Sequence, residues 1–528
     1  MSDDFPSEGE DQPEDGKRRR KRQEFDPSIL MTSVVAIPLQ KEIDKARGRT
    51  KRFDVVIDLN LDYPGGRRKA SEAVESMVRE LSSAAGNSRY PVGIDQSKSK
   101  LSEQYIFATL TGAMVRQLAS MDAAQAKMKG IRAIHRIWPD FEVRGLITQT
   151  CATVKADAAT NAFSAQGNGI TWAVIDSGID GTHPHFANSI FELDEALLHR
   201  DFTCPQDDPE TSSKRALTDE YGHGTHVAGI LAGEVTADAL YRLDGMNERR
   251  PAVIVAERSV MGEDGRPRTL TDTKTPHIRG MAPKCKLLSL KVLNEKGKGN
   301  VSSIIAALEH VQDLNGNGRR LRVHGVNLSV GYDFDPEWFA CGQSPICVEV
   351  NRLVRSGVVV VAAAGNTGYG WYNSQMRGVV GAGIDLSIND PGNAEAAITV
   401  GSTHRNMPHM YGVSYFSSKG PTGDGRMKPD LVAPGERILS CASRQRYGHD
   451  EVDGEGKLVA AYRETSGTSM AAPHVSGVIA SFLSVRGEFI GQPEKVKEIF
   501  LSTATDLRRK VDFQGRGLVD LMRAIQSV

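Results

Sequence analysis

The sequence predicts an α/β fold, a mostly parallel central sheet with helices on both faces, preceded by a small α+β domain. Three observations support it. From Gly169 onward, short apolar runs alternate with helical patterns. Residues 358–364 form a nearly unbroken apolar run, typical of a strand in a sheet covered on both faces. The run Ile170-Thr171-Trp172-Ala173-Val174-Ile175 ends in Asp176-Ser177-Gly178. That places a carboxylate at a strand's C-terminal end, where open α/β sheets hold ligands.

Bulk properties are those of a globular protein. Its 528 residues suffice for two or three domains, and 39% hydrophobic with 25% charged residues is ordinary. A net charge of −1 offers no global field to attract nucleic acid or an anionic membrane. The six cysteines show no paired metal-type spacing, and only Cys341 and Cys347 are near enough in sequence for a local disulfide.

Residues 1–25 are acidic and then basic, ending in the run Lys17-Arg18-Arg19-Arg20-Lys21-Arg22. They lack apolar residues to bury, which predicts a disordered, solvated tail. An apolar stretch over residues 29–39 follows that basic run. An acidic start, Asp26-Pro27 and the lack of a small-residue cleavage site argue against a classical secretion signal. No apolar run reaches transmembrane length. The compartment stays undetermined between the cytoplasm and non-classical export.

Residues 45–145 read as one α+β unit. Phe53, Val55, Ile57 and Leu59 alternate as in a strand, and Val74, Met77, Val78 and Leu81 recur as in a helix. Residues 105–110 read as a strand, Met114, Leu118 and Met121 mark a second helix, and Ile131, Ala133, His135 and Ile137 alternate again.

The unit over residues 150–528 carries the chemistry. After the Asp176 strand, His223-Gly224-Thr225-His226-Val227-Ala228-Gly229 opens an apolar helix. Residues 239–279 read as a polar insertion with little periodicity. Strands are expected over 287–293, 323–330, 358–364, 397–401 and 431–434, a helix over 301–311, and a last helix over 518–525. Gly365-Asn366 follows the third of these strands. In Thr465-Ser466-Gly467-Thr468-Ser469-Met470-Ala471-Ala472-Pro473-His474-Val475, a small hydroxylic loop turns into a buried helix marked by Val475, Val478, Ile479 and Phe482. Alone, Ser469 reads equally well as a helix N-cap. With Asp176 and His223 it suggests acyl transfer. The carboxylate would orient the imidazole, the imidazole would take the hydroxyl proton, and Ser469 would attack a carbonyl. The Asn366 amide suits the developing oxyanion. The chain order Asp, His, Ser differs from that of chymotrypsin and of α/β-hydrolases, and no glycine-x-serine-x-glycine elbow surrounds Ser469.

These segments resemble the subtilisin-like serine proteases over residues 150–528. The aspartate motif is Ala173-Val174-Ile175-Asp176-Ser177-Gly178-Ile179, the histidine motif begins at His223, and the serine motif is Gly467-Thr468-Ser469-Met470-Ala471-Ala472-Pro473-His474-Val475. Ala363-Ala364-Gly365-Asn366 is similar to the oxyanion motif, and residues 417–421 and 428–435 also match. The resemblance implies catalytic roles for Asp176, His223, Ser469 and Asn366. It also implies that Ser329, Val330 and Gly331 pair with substrate backbone, that Gly297 and Lys298 form the opposite edge, and that Asn389 lies near the pocket floor. A polar floor there disfavours large apolar side chains. An extended peptide between the edges would add a strand. The 45–145 unit resembles the family's ferredoxin-like propeptide, which implies a self-processing zymogen cut between residues 140 and 150, with the prodomain as its own inhibitor. Partners are protein or peptide substrates, without membrane.

The resemblance requires no cofactor for the chemistry and is compatible with structural calcium, but names no metal ligand. The 239–279 insertion stands where relatives carry a calcium loop. Asp313-Leu314-Asn315-Gly316-Asn317-Gly318 starts like an EF-hand loop, yet its twelfth position is His324, so it reads as a plain turn. Residues 368–386 are longer than the family pattern. His226 and His474 read as packed residues, since His223 and His226 lack the spacing of a zinc site. Two other classes remain: a non-catalytic peptide-binding scaffold, and a nucleic-acid binder using residues 17–22.

Overall fold

A computed structural model describes residues 34–46, 51–84, 92–99, 102, 104–139, 147–187, 190–194, 197–204, 206–243, 248–261, 267–333, 340–374 and 378–528. The expected tail over 1–25, the first half of the 29–39 stretch and most of the expected cut region lie outside these residues. The chain forms two compact units, 1–143 and 144–528.

The first unit is a four-stranded antiparallel sheet with helices. Helix α1 (Ile37–Lys45), strand β1 (Arg52–Leu59), helix α2 (Gly66–Ala84) and strand β2 (Gly93–Ile94) come first. Strand β3 (Tyr105–Thr111), helix α3 (Gly112–Lys129) and strand β4 (Ile134–Pro139) complete it, in the sheet order β2-β3-β1-β4. The described part of the 29–39 stretch contributes to the core: Val35 bridges Ile137, and Val34, Ala36 and Leu39 are buried, as is Ile43 after it. The alternation expected at Ile131, Ala133, His135 and Ile137 fails in part, because Ile134 is buried and His135 exposed. A register shift between Asp58 and Leu59 moves the pairing by one residue, which is how a bulge swaps the faces of a strand.

The second unit is built on seven strands. They are β5 (Thr171–Asp176), β6 (Arg200–Asp201), β9 (Lys286–Lys291), β10 (Gly325–Leu328), β11 (Val359–Ala363), β14 (Ile398–His404) and β15 (Leu431–Glu436), in the order β15-β14-β11-β10-β5-β9-β6. Every pairing among them is parallel. Strict alternation explains why the runs look uniformly apolar. Trp172, Val174, Val359, Val361, Ile398 and Val400 face one buried cluster, while Ala173, Ile175, Leu288, Leu290, Val326 and Leu328 face the other. Helices α4 (His223–Leu231) and α7 (Thr468–Val485) pack on the first face. Helices α5 (Val301–Leu314) and α6 (Pro345–Arg355) pack on the second. α7 is apolar enough to cross a bilayer by length and composition, but 83% of it is buried inside this unit.

The 239–279 segment departs from expectation. It contains β7 (Arg250–Met261) and β8 (Pro267–Asp272), an antiparallel pair. β7 also lies parallel to β17 (Leu458–Thr465), which pairs with β16 (Ile438–Cys441). Ala252, Ile254 and Ala256 are its buried face. Their period is masked in the sequence because Val253 and Val255, between them, are also apolar. The lengthened 368–386 stretch likewise forms a hairpin, β12 (Tyr369–Ser374) with β13 (Gly378–Gly383). All six cysteines are free thiols, Cys341 and Cys347 included. The last helix, α8 (Leu521–Gln526), starts three residues later than expected, after an Asp520 N-cap. Asp313 and Leu314 end α5 and residues 315–318 are a turn, in which Asn315 binds the backbone of Arg322 and Val323, leaving its side chain no role as a cation ligand.

Candidate active site

Asp176 is the last residue of β5 and is fully buried. Its Oδ1 accepts from His223 Nδ1 at 2.8 Å and from the Ser177 N–H at 2.8 Å. His223 is the first residue of α4, and its side chain keeps 22% exposure. One ring nitrogen is thus held while the other edge stays open. Burial alone would depress the imidazole's pKa. The charge of Asp176, its hydrogen bond and the charge of Asp219 outweigh burial, and the net shift is upward.

Ser469 is the second residue of α7, just after Gly467 and Thr468. First-turn N–H groups have no acceptor inside their own helix, so this turn presents donors. The Ser469 hydroxyl donates to the Ser329 carbonyl at 3.0 Å, and the Ser329 hydroxyl donates to the Ser469 carbonyl at 3.0 Å. Its proton therefore points at Ser329 rather than at His223 in this state. Ser329 follows Leu328, which pairs with Ile175, the neighbour of Asp176. The nucleophile candidate and the Asp176–His223 pair accordingly share the C-terminal edge of the sheet.

Asn366 lies three residues past β11 and is exposed. Its Oδ1 accepts from the Thr468 N–H at 2.9 Å and from the Thr468 hydroxyl at 3.2 Å. This fixes the amide plane and leaves Nδ2 without a protein partner among the described residues. The Thr468 hydroxyl also accepts from the Gly365 N–H, so one side chain clamps both loops.

The two edges expected to hold substrate meet in one cleft of about 670 Å³, lined by Gly297 and Lys298 on one side and Val330 and Gly331 on the other. Leu293, Val301, Ile304, Tyr332 and Pro345 complete an apolar lining that sequence reasoning did not assign. The helical period of Val301 and Ile304 was visible, but not that one turn of α5 would face a cleft. Gly297 sits against the Tyr221 ring, two residues before His223. Asn389 lies elsewhere, with its side chain against Gly365.

Asp219 was also missed. This buried carboxylate accepts from the Ser177 hydroxyl (2.8 Å), the Gly222 N–H (2.7 Å), the Thr225 N–H (2.8 Å) and the Thr225 hydroxyl (2.6 Å). Gly222 and Thr225 bracket His223, and Ser177 follows Asp176. One group therefore holds both loops of the pair. Burial pushes its pKa up to about 6, against these four hydrogen bonds. The signal was an aspartate four residues before His223, ahead of a glycine.

His226 and His474 are packed. His226 Nε2 lies 3.0 Å from the Arg463 carbonyl and 3.2 Å from that of Ile438, and burial pushes its pKa down to about 4. His474 Nδ1 lies 2.8 Å from the Met470 carbonyl. Among the described residues no group of three or more His, Cys, Asp or Glu side chains is arranged to hold a metal.

A family model described as Subtilase family matches residues 167–517. Serine protease AprX of Bacillus subtilis is 28% identical over 401 residues, covering 74% of each chain. The major intracellular serine protease of the same organism is 27% identical over 341 residues, covering 64% of this chain and 76% of its own. Pyrolysin of Pyrococcus furiosus is 30% identical over 344 residues, which span 58% of this chain but 21% of that longer protein.

Proposed function

The chain belongs to the subtilase family, and from that premise we propose that it hydrolyses peptide bonds through an acyl-enzyme on Ser469. Serine endopeptidase activity on proteins or peptides comes with membership. The finer assignment concerns residues. The observation that carries it is the 2.8 Å bond from Asp176 to His223 at the sheet edge that also bears Ser469.

In the proposed cycle, a bound peptide carbonyl draws the Ser469 hydroxyl from Ser329 toward His223. Resting catalytic hydrogen bonds commonly tighten only on substrate binding. His223 takes the proton as the hydroxyl oxygen bonds to the carbonyl carbon. Asp176 stabilises the imidazolium, and Asn366 Nδ2 with a first-turn N–H of α7 receives the oxyanion. His223 then returns the proton to the leaving amine, and water repeats the steps to release the acid. A substrate segment lies between the 297–298 and 329–331 edges, with one apolar side chain in the cleft. No step calls on a cofactor. Structural calcium stays in the proposal only as a stabiliser.

The first unit is proposed to be a propeptide that is cut off by the second, which makes the chain a zymogen. A fluorophosphonate probe and a peptide library test the chemistry, with Ser469→Ala as control. Labelling at Ser469 and cuts absent from the variant are expected. A folded protein that neither labels nor cuts is instead a peptide-binding scaffold. Intact mass tests processing: wild type should lose the first unit and Ser469→Ala should keep it.

A further inference from the structure

β10 and β11 run side by side as far as Leu328 and Ala362, and then separate. Ser329, Val330 and Gly331 continue one, while Ala363, Ala364 and Gly365 continue the other. The segment around Asn389 closes the gap by bonding both sides. The Asn389 N–H donates to the Ala364 carbonyl at 2.9 Å, and Asp390 exchanges two 3.0 Å bonds with Tyr332. The slot between the two segments is flanked by Ser329, which bonds Ser469, and by Gly365, next to Asn366, and the Asn389 side chain stands against Gly365. Gly365 has to be glycine here. Its φ is +107°, and a Cβ would come within 2.6 Å of the Asn389 amide.

The amide is oriented on both sides. Its Oδ1 accepts from the Thr367 hydroxyl at 2.9 Å, so its Nδ2 points outward and donates to Asp333 Oδ1 at 2.9 Å. The Tyr332–Asp390 bridge explains the meeting, because antiparallel pairing sets Asp333 opposite Asn389. Among the described residues Asp333 has no lysine or arginine partner, and its second carboxylate oxygen is free. Asp333 itself is exposed, and a carboxylate held by a neutral amide beside that slot is a receptor for a cation.

We propose that Asp333, held by Asn389, makes this slot select a lysine or arginine side chain on the acyl side of the bond to be cut. The inference rests on the reading of Ser469 as nucleophile and deepens it by naming the substrate class. Asn389 alone would offer only a neutral polar floor. Asp333 adds the charge, and Thr367 fixes which end of the amide faces it.

The test uses processed enzyme and fluorogenic peptides that differ only at that position: Lys, Arg, Gln, Phe or Glu. Active sites are counted with the fluorophosphonate, so misfolded protein does not enter kcat/KM. Wild type should favour Lys or Arg over Gln by about 10- to 100-fold, the worth of a hydrogen bond to a charged group. In Asp333→Asn that ratio should fall toward one. In Asp333→Lys the order should reverse in favour of Glu. A structural role for Asp333 would depress all five peptides alike and keep the ratio. A Lys-to-Gln ratio near one in wild type, or one that survives in Asp333→Asn, overturns the inference. If the enzyme labels at Ser469 and cuts without charge preference, the selectivity falls and the endopeptidase reading stands. If it neither labels nor cuts, both fall.

Discussion

Replacing Asp219 by asparagine separates what this carboxylate does for stability from what it does for His223. Two terms oppose each other. Burial raises its pKa from the ordinary 3.8 to about 6. That difference corresponds to about 3 kcal/mol by which the fold disfavours the ionised form at neutral pH. Asparagine, uncharged and similar in shape, escapes that penalty. Against it, the new amide turns one oxygen into a donor among donors, which costs about 1–3 kcal/mol. The net change at pH 7 should lie within about 2 kcal/mol of zero. The sign with pH is definite. A group whose folded pKa is raised contributes stability that is present below pH 3.8 and lost as pH rises through about 6. The advantage of wild type over Asp219→Asn should therefore shrink between pH 4 and pH 7 in urea titrations.

Catalysis should respond differently. The charge of Asp219 favours the imidazolium of His223. Its loss lowers that pKa, so the acid limb of kcat/KM should move to lower pH. The height of the profile should fall by at most about 10- to 100-fold, the ceiling if one charge-assisted bond is felt wholly in the transition state. A variant that loses several kcal/mol at pH 7 with its pH profile unmoved would show that Asp219 is only a brace, and the reasoning would fail.

Two shorter predictions concern neighbouring features. Asn366→Ala should lower kcat by about 10²–10³, with KM changing far less; that range was measured in a member of this family for its own asparagine donor. Lys428→Met should cost about 2–4 kcal/mol in denaturant unfolding, below the full penalty for a broken buried pair. Lys428 and Asp430 are 3% and 6% exposed and meet at 2.6 Å, and Lys497, 3.2 Å from Asp430, is left as its partner when Lys428 is replaced.

The sheet was legible because its strands alternate between two apolar clusters, and the Asp176–His223 pair because one ends a strand and the other begins a helix, whereas Ser469 lies in the first turn of α7 and Asn366 in the loop after β11. What was hidden is hidden for physical reasons. The β7 face has a period of two, but its intervening residues are apolar as well. Helix α6 was not among the expected elements, although Ile346, Val350, Leu353 and Val354 are its buried stripe and Pro345 stands at its first position, where proline is tolerated. Asp219 holds Ser177, Gly222 and Thr225, Asp333 meets Asn389, and nothing in local spacing marks a carboxylate that works by holding something else. Asn389 was placed near a pocket floor, yet its partners Thr367 and Asp333 come from loops 22 and 56 residues away.

One such chain of holders ends on the nucleophile candidate and sets a directional test. The Ser476 hydroxyl donates to Asn327 Oδ1 at 2.9 Å, Asn327 Nδ2 donates to the Ser329 hydroxyl at 2.8 Å, and that hydroxyl donates to the Ser469 carbonyl at 3.0 Å. Each link fixes the direction of the next. Asn327→Ala removes two neutral bonds, each worth about 1 kcal/mol. Ser476 can then bond back along its own helix, and the Ser329 hydroxyl still points at Ser469. Asn327→Asp keeps the shape but replaces the donor by an acceptor. The Ser329 hydroxyl must then turn toward the carboxylate, and the Ser469 carbonyl loses that bond while the Ser469 hydroxyl keeps the Ser329 carbonyl. The alanine variant should accordingly lose about 2 kcal/mol of stability with a small change in fluorophosphonate labelling rate. The aspartate variant should label more slowly than the alanine variant at equal folded fraction. Equal labelling rates in the two would mean that the direction of the chain does not matter, and that the first turn of α7 and the Ser329 carbonyl suffice to hold Ser469.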